Sequence, residues 1–149
     1  MVWGAFTRDG TLSLAFTSNK MNSTGYQDVL ANHLLPYLRS RQNLNLVFQQ
    51  DNAAIHVSQS TRAWLRSHQV DTMDWPACSP DLNPIENLWG LIVRDIYADS
   101  RQYNTVADLK QAILVAWNRL DVQVLQKLVS SMPHRLCEVI AKKGGCTNY

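Results

Sequence analysis

The fifteen residues from Trp75 to Trp89, WPACSPDLNPIENLW, constrain this chain more than any other stretch. Pro76, Pro80 and Pro84 each fix φ and remove a backbone donor, so the segment reads as a rigid loop that runs into a helix. Asn83 is a good N-cap, Pro84 suits the first helical position, where an N–H has no partner anyway, and Glu86 falls third in the helix. Ile85, Leu88, Trp89 and Ile92 then recur at helical spacing and give the helix an apolar face. Glu86 is thereby held in a first turn whose start is written in the sequence. Two readings of its carboxylate stay open: reaching back to a backbone N–H to complete a capping box, or serving chemistry.

A second stretch bears on that choice. In Leu46 to His56, LVFQQDNAAIH, a short apolar run ends abruptly in Gln49, Gln50, Asp51 and Asn52. This pattern predicts a buried strand delivering a carboxylate at its C-terminal end. Strand Leu44–Phe48, a helix from about Ser58 to His68 with Trp64 and Leu65 inward, and a short strand at Val70–Met73 make a right-handed parallel crossover. The loop after that strand returns to the same sheet edge with Glu86. Thirty-four residues separate Asp51 from Glu86, and the expectation is that the two carboxylates face each other across a small gap. Paired hard oxygen ligands suit Mg²⁺ or Mn²⁺ better than zinc, which favours His or Cys.

The remainder of the chain fills out an α/β domain. Met1–Phe6 and Thr11–Phe16 flank an Asp-Gly turn signal and predict a β-hairpin with Asp9 as a turn residue. A helix should begin at Ser23 or Thr24 and run to about Ser40, bearing Tyr26, Val29, Leu30, His33, Leu34 and Tyr37 on one side, with a kink at Pro36. His33 lacks a His or Cys partner at ligand spacing and reads as a core or boundary histidine. Thr105–Leu120 and Val122–Lys142 predict two further helices, the first capped by Thr105 with Asp108 three residues on, the second interrupted by Pro133. The polar ending KKGGCTNY should fray. His134, Arg135, Lys142 and Lys143 read as a solvated charged face, with phosphate contact as the alternative.

Size and composition narrow the class. With 149 residues, no repeat and no linker, the chain reads as one domain over 1–149. A formal charge of +2 is too small to argue for nucleic acid by itself. Cys78, Cys137 and Cys146 form no C-x-x-C pair and read as free thiols. Neither a signal peptide nor an apolar run of about 20 residues is present, so a membrane partner is not expected and a nuclear or cytoplasmic location is.

With both acids placed, the sequence resembles the catalytic domain of the Tc-one/mariner superfamily of DDE transposases. QQDNA with His56 is similar to that family's second-aspartate motif, WPACSPDLNPIENLW to its third-acid motif, and SMPHRLCEVIAKKGGCTNY to its ending; the interval of thirty-four residues is the spacing of one main branch. The resemblance implies an RNase H-like fold, a mixed sheet flanked by helices. It also implies three carboxylates holding two Mg²⁺ (or Mn²⁺) ions, one activating water or a 3′-hydroxyl and the other stabilising the leaving oxygen during attack on a DNA phosphodiester. Asp51 and Glu86 match the second and third carboxylates as catalytic metal ligands. Asn52 and His56 match the motif and either orient ligands or simply pack; Asp81 reads as a turn residue of the Ser79-Pro80-Asp81 loop.

The family's first aspartate lies on a strand upstream of the segment that Met1–Phe6 resembles, and none of Asp9, Asp28, Asp71 or Asp74 stands in its place. The family's helix-turn-helix DNA-binding region is likewise not matched. The resulting expectation is an incomplete, truncated catalytic domain with the first strand absent, binding at most one ion weakly and inactive alone. An opened sheet would expose strand edges for self-association or for a full-length transposase. The competing expectations are a non-catalytic DNA- or transposase-binding protein and a transcribed remnant.

Overall fold

The computed structural model describes residues 1–149, which divide into two compact units: Met1–Gly4 with Ala15–Cys78, and Ala5–Leu14 with Ser79–Tyr149. The two apolar runs at the start pair antiparallel as expected, but as two short ladders. Strand β1 (Val2–Trp3) pairs with β4 (Ala15–Phe16), and β2 (Phe6–Thr7) with β3 (Gly10–Thr11). Arg8 and Asp9 form the turn, where the Asp9 N–H donates to Thr7 Oγ1 at 3.3 Å.

In the first unit the opening helix begins at Ser23, as expected, and Asn22 caps it, accepting the Gly25 N–H at 2.9 Å. Helix α1 (Ser23–Val29) passes into a π-helical turn (Leu30–Leu34) and then α2 (Leu35–Arg39). Pro36 has no N–H to give to the preceding turn, and the helix absorbs the defect one turn earlier: the Leu35 N–H donates to Leu30 O, five residues back. The irregularity expected at Pro36 thus takes the form of a widened turn just before it. Tyr26, Val29, Leu30, Leu34 and Leu35 are buried, and His33 is half-buried with its ring 5.9 Å from that of Trp3.

The expected strand at Leu44–Phe48 is reduced to one parallel bridge, Phe48 opposite Thr72. Its direction is the one the crossover required, with Phe48 N–H donating to Asp71 O at 2.8 Å and Met73 N–H to Phe48 O at 3.0 Å. The residues before it turn locally instead of extending. Leu44 N–H donates to Arg41 O and Leu46 N–H to Leu44 O, both at 2.9 Å, which takes those donors out of any ladder, and Leu44 and Val47 are exposed. After a short helix, α3 (Ala54–Val57), Ser58 caps α4 (Gln59–Ser67) by accepting the Thr61 N–H. Leu65 packs inward and Trp64 is half-buried.

The second unit is helical apart from β2 and β3. A 3₁₀ turn (Pro80–Leu82) leads into α5 (Pro84–Ile96); another (Ala98–Ser100) precedes α6 (Val106–Asn118), α7 (Val122–Ser130) and α8 (Met132–Ala141). Leu88, Ile92 and Ile96 of α5 are buried with Ala116, Trp117 and Leu125. The Trp117 ring stacks on Trp89 at 5.3 Å, and its Nε1–H donates to Leu12 O at 2.8 Å, satisfying the buried indole. Thr105 caps α6 as expected, accepting the Asp108 N–H at 3.1 Å and donating to the Asp108 carboxylate at 2.7 Å. Pro133 sits in the first turn of α8, where its missing N–H leaves no bond unmade.

Two expectations about the last helices are corrected. Arg135, read from the sequence as part of a solvated charged face, is the buried side chain of α8, while Leu136 and Ile140 are exposed. The ending does not fray. Lys143 adopts a left-handed φ of 52°, and the Gly144 N–H donates to Val139 O while the Lys143 N–H donates to Ile140 O. This pair of bonds is a Schellman turn. It sends residues 145–149 back along the unit, where Lys142 Nζ donates to Cys146 O at 2.9 Å and the Asn148 N–H to Glu138 at 3.0 Å.

Candidate active site

Asp51, Asn52 and His56 lie in the first unit and Glu86 in the second. Asp51 follows the single parallel bridge and precedes α3, so it sits where extended backbone turns toward a helix. Its Oδ1 accepts the Ala53 N–H at 3.0 Å and contacts His56 Nδ1 at 2.6 Å. An ionised carboxylate can only accept, so Nδ1 is the donor and carries the imidazole proton. The other carboxylate oxygen takes no hydrogen bond, and the Asp51 side chain is 52% exposed.

His56 is itself fixed. Its ring lies 4.2 Å from that of Tyr26, tilted by 31°. The Tyr26 hydroxyl donates to Gln50 Oε1 at 2.7 Å, and Gln50 Nε2 donates to His56 O at 3.3 Å. Burial raises the Tyr26 phenol well above its ordinary pKa, against a lowering hydrogen bond from Trp3, so it stays protonated and remains the donor to Gln50. Tyr26 and Gln50 thus hold His56, and His56 holds Asp51. Gln50 stands in the motif itself, but nothing in the spacing of α1 marks Tyr26 as more than a core residue.

Asn52 has a different task. Its Nδ2 donates to Trp75 O at 2.7 Å, joining the QQDNA stretch to the beginning of the proline-rich stretch within the first unit. His56 and Asn52 therefore both have ordering roles, one on the carboxylate and one on the backbone.

Glu86 occupies the first turn of α5, as the sequence predicts, with Asn83 at the N-cap. The capping box is not formed. Asn83 makes no side-chain capping bond; the Glu86 N–H instead donates to Asn83 O at 3.1 Å. The Glu86 carboxylate is exposed, with neither hydrogen bond nor ion pair. A carboxylate at a helix N-terminus gains from the dipole there, and one with no side-chain partner keeps its lone pairs available.

The surroundings of Glu86 hold what sequence reasoning missed. Arg135 is fully buried and donates from all three guanidinium nitrogens: Nη1 to Asp81 O at 2.6 Å, Nη2 to Asn87 Oδ1 at 2.8 Å and Nε to Ser131 Oγ at 2.9 Å. The Tyr149 ring covers it, 4.4 Å from the guanidinium carbon. Neither the charged-face nor the phosphate reading of Arg135 survives this burial. The available signal was its register, one turn after Ser131 and two turns after Leu128. Asp81 is more than a turn residue: its Oδ2 accepts the Thr147 N–H at 2.6 Å, and this bond holds its carboxyl below the usual carboxylate range. Cys78, Cys137 and Cys146 are free and exposed.

No three His, Cys, Asp or Glu side chains converge as a metal-binding group. The donors present are nonetheless of the right kind for a hard divalent cation: exposed carboxylate oxygens, of which only Asp51 Oδ1 is engaged by protein donors.

Residues 1–110 match the family described as DDE superfamily endonuclease. The chain belongs to this DDE superfamily. Over 149 residues it is 53% identical to the transposable element Tc3 transposase of Caenorhabditis elegans, with all of this chain and 45% of that protein covered. It is 37% identical over 150 residues to the Tcb2 transposase of Caenorhabditis briggsae, with 54% of that protein covered. This DDE chain spans about half the length of the relatives it matches.

Among solved structures, the Mos1 transposase catalytic domain described with raltegravir and Mn superposes with a TM-score of 0.87 at 18% identity, covering 99% of this chain and 76% of that one. A Mos1 transposase paired-end complex with the left transposon end gives a TM-score of 0.86 at 20% identity, covering 97% and 44%. The fold of the DDE chain is therefore the RNase H-like fold of that catalytic domain. Mos1 catalytic-domain structures are described with Mn and with Mg.

Proposed function

We propose that Asp51 and Glu86 supply carboxylate oxygens to Mg²⁺ or Mn²⁺ in the cleavage and joining of DNA strands, the reaction of a cut-and-paste transposase. The observation that carries this reading is the state of the two acids. Each is exposed, each has at least one oxygen without a protein partner, and each lies in a motif of a DDE family. Bound there, the cation supplies positive charge that acidifies a water or 3′-hydroxyl and stabilises the departing phosphodiester oxygen. His56 and the Ala53 N–H orient Asp51 by its Oδ1 and leave the second oxygen for the ligand. Asn52 secures the backbone around it. This chemistry uses three carboxylates, of which Asp51 and Glu86 are two; two alone would hold at most one ion, weakly, and would not suffice to nick DNA.

The test is a Mn²⁺ titration of the 149-residue chain followed by paramagnetic broadening of its amide signals. Broadening should centre on the amides beside Asp51 and Glu86, and Asp51→Asn and Glu86→Gln should each remove it locally with the fold intact. Millimolar Mn²⁺ that leaves both regions sharp would overturn the assignment of the acids. Metal-dependent nicking of a DNA duplex by this chain, abolished by Asp51→Ala, would overturn the claim that two carboxylates do not suffice.

A further inference from the structure

From the buried guanidinium of α8 we infer that Arg135 is a positioning residue for Glu86, setting the first turn of α5 from both sides, and that residues 147–149 lock it in place. The inference rests on the reading of Glu86 as a metal ligand, and adds a part of the site that neither acid motif contains. Arg135 bonds Asp81 O, which precedes the helix start at Asn83, and Asn87 Oδ1, which directly follows Glu86. One rigid fork thus spans the N-terminus of α5 with Glu86 between its two attachment points. Arginine is suited to this because its donors are fixed in one plane; a lysine ammonium cannot hold two such acceptors in a set relation.

The lock is built from the other end of the same unit. The Tyr149 ring covers the guanidinium, and the Thr147 N–H ties to the carboxylate of Asp81, whose carbonyl Arg135 already holds. Glu86 itself takes no part in any of these bonds. Its carboxylate is left for a ligand while its backbone is held, which is how outer groups around a metal ligand set its geometry without competing for the ion.

Two variants of the full 149-residue chain separate positioning from mere packing, because each removes one acceptor of the same guanidinium. Asn87→Ala cuts the bond beside Glu86. Ser131→Ala cuts a bond within α8 and its approach. Both should lower the melting temperature by similar amounts. Only Asn87→Ala should weaken Mn²⁺ binding at Glu86, by about tenfold, and speed hydrogen exchange of the Glu86 and Leu88 amides. Equal losses of Mn²⁺ affinity in both variants, or unchanged affinity in Asn87→Ala, would overturn the inference. Should the unaltered chain show no Mn²⁺ beside Glu86, the metal reading fails, and exchange alone decides the bracket: faster exchange confined to Asn87→Ala supports it, and equal exchange in both variants refutes it.

Discussion

The Asp51 carboxylate is fixed through one of its own oxygens, which takes the Ala53 N–H and His56 Nδ1. The Glu86 carboxylate makes no bond at all and inherits its position from a helix start that Arg135 braces. The first arrangement is local, since every contact of Asp51 lies within five residues. The second is assembled from far along the chain, with separations of 54 and 48 residues for Arg135 and 66 for Thr147. A carboxylate oriented by direct bonds tolerates a mobile loop. One with free oxygens needs a rigid support, and the second unit supplies it.

The contrast can be broken most strongly at Arg135. Arg135→Ala leaves Asp81 O, Asn87 Oδ1 and Ser131 Oγ without their donor in a buried place, and should cost about 3 kcal/mol or more of stability, measured by urea unfolding. Exchange protection around Asp51 should survive under conditions where the amides of α5 lose theirs. His56→Ala should act on the opposite side, removing the bond to Asp51 and the ring contact with Tyr26 at a cost of about 1–2 kcal/mol. Its signature is a second Asp51 conformer in NMR spectra, with α5 unchanged.

Sequence reasoning was strong where structure is local. Asn83, Pro84 and Glu86 mark the start of α5, Thr105 and Asp108 that of α6, and Pro133 the break before α8, because caps and prolines act within a few residues. It failed where the outcome depends on partners elsewhere. Leu44–Phe48 has the composition of a strand, yet only Phe48 finds a ladder partner. Arg135 is charged and looks like surface, yet three acceptors and an aromatic ring make its burial favourable. The polar ending carries no apolar periodicity, and its order comes from Lys143, Asp81 and Glu138. The two acids and His56 were legible as candidates; the hold of Tyr26 on His56 and of Arg135 on the start of α5 was not.

A gentler probe is acidity. The Asp81 carboxyl is held below its ordinary pKa by the Thr147 N–H, so the unfolded chain takes up a proton there more readily than the folded one. The stabilisation is full above the ordinary carboxylate range and is lost as the pH falls below about 4. Asp81→Asn should melt earlier than the unaltered chain at pH 7, with the gap closing toward pH 3 in a melting series. The effect should be small because the group is partly open to solvent.

The smallest effect is expected at the acids' own contrast. Glu86→Gln removes no hydrogen bond or ion pair and should change stability by less than about 0.5 kcal/mol. Asp51→Asn disturbs two contacts and should cost about 1 kcal/mol in the same unfolding experiment. Equal costs for the two would mean that the difference in how they are held has no energetic weight.

The distance along the chain between Arg135 and the helix it braces also sets a timetable. On a ribosome, the Asp51 arrangement can close as soon as residues 22–75 have emerged, since Tyr26, Gln50, His56 and Trp75 complete it. The first turn of α5 must wait until residues 131–149 have been made, because its brace and the ring that covers it come from there. A nascent chain therefore acquires its two acids in sequence, with one already oriented while the other still sits on an unsupported helix start.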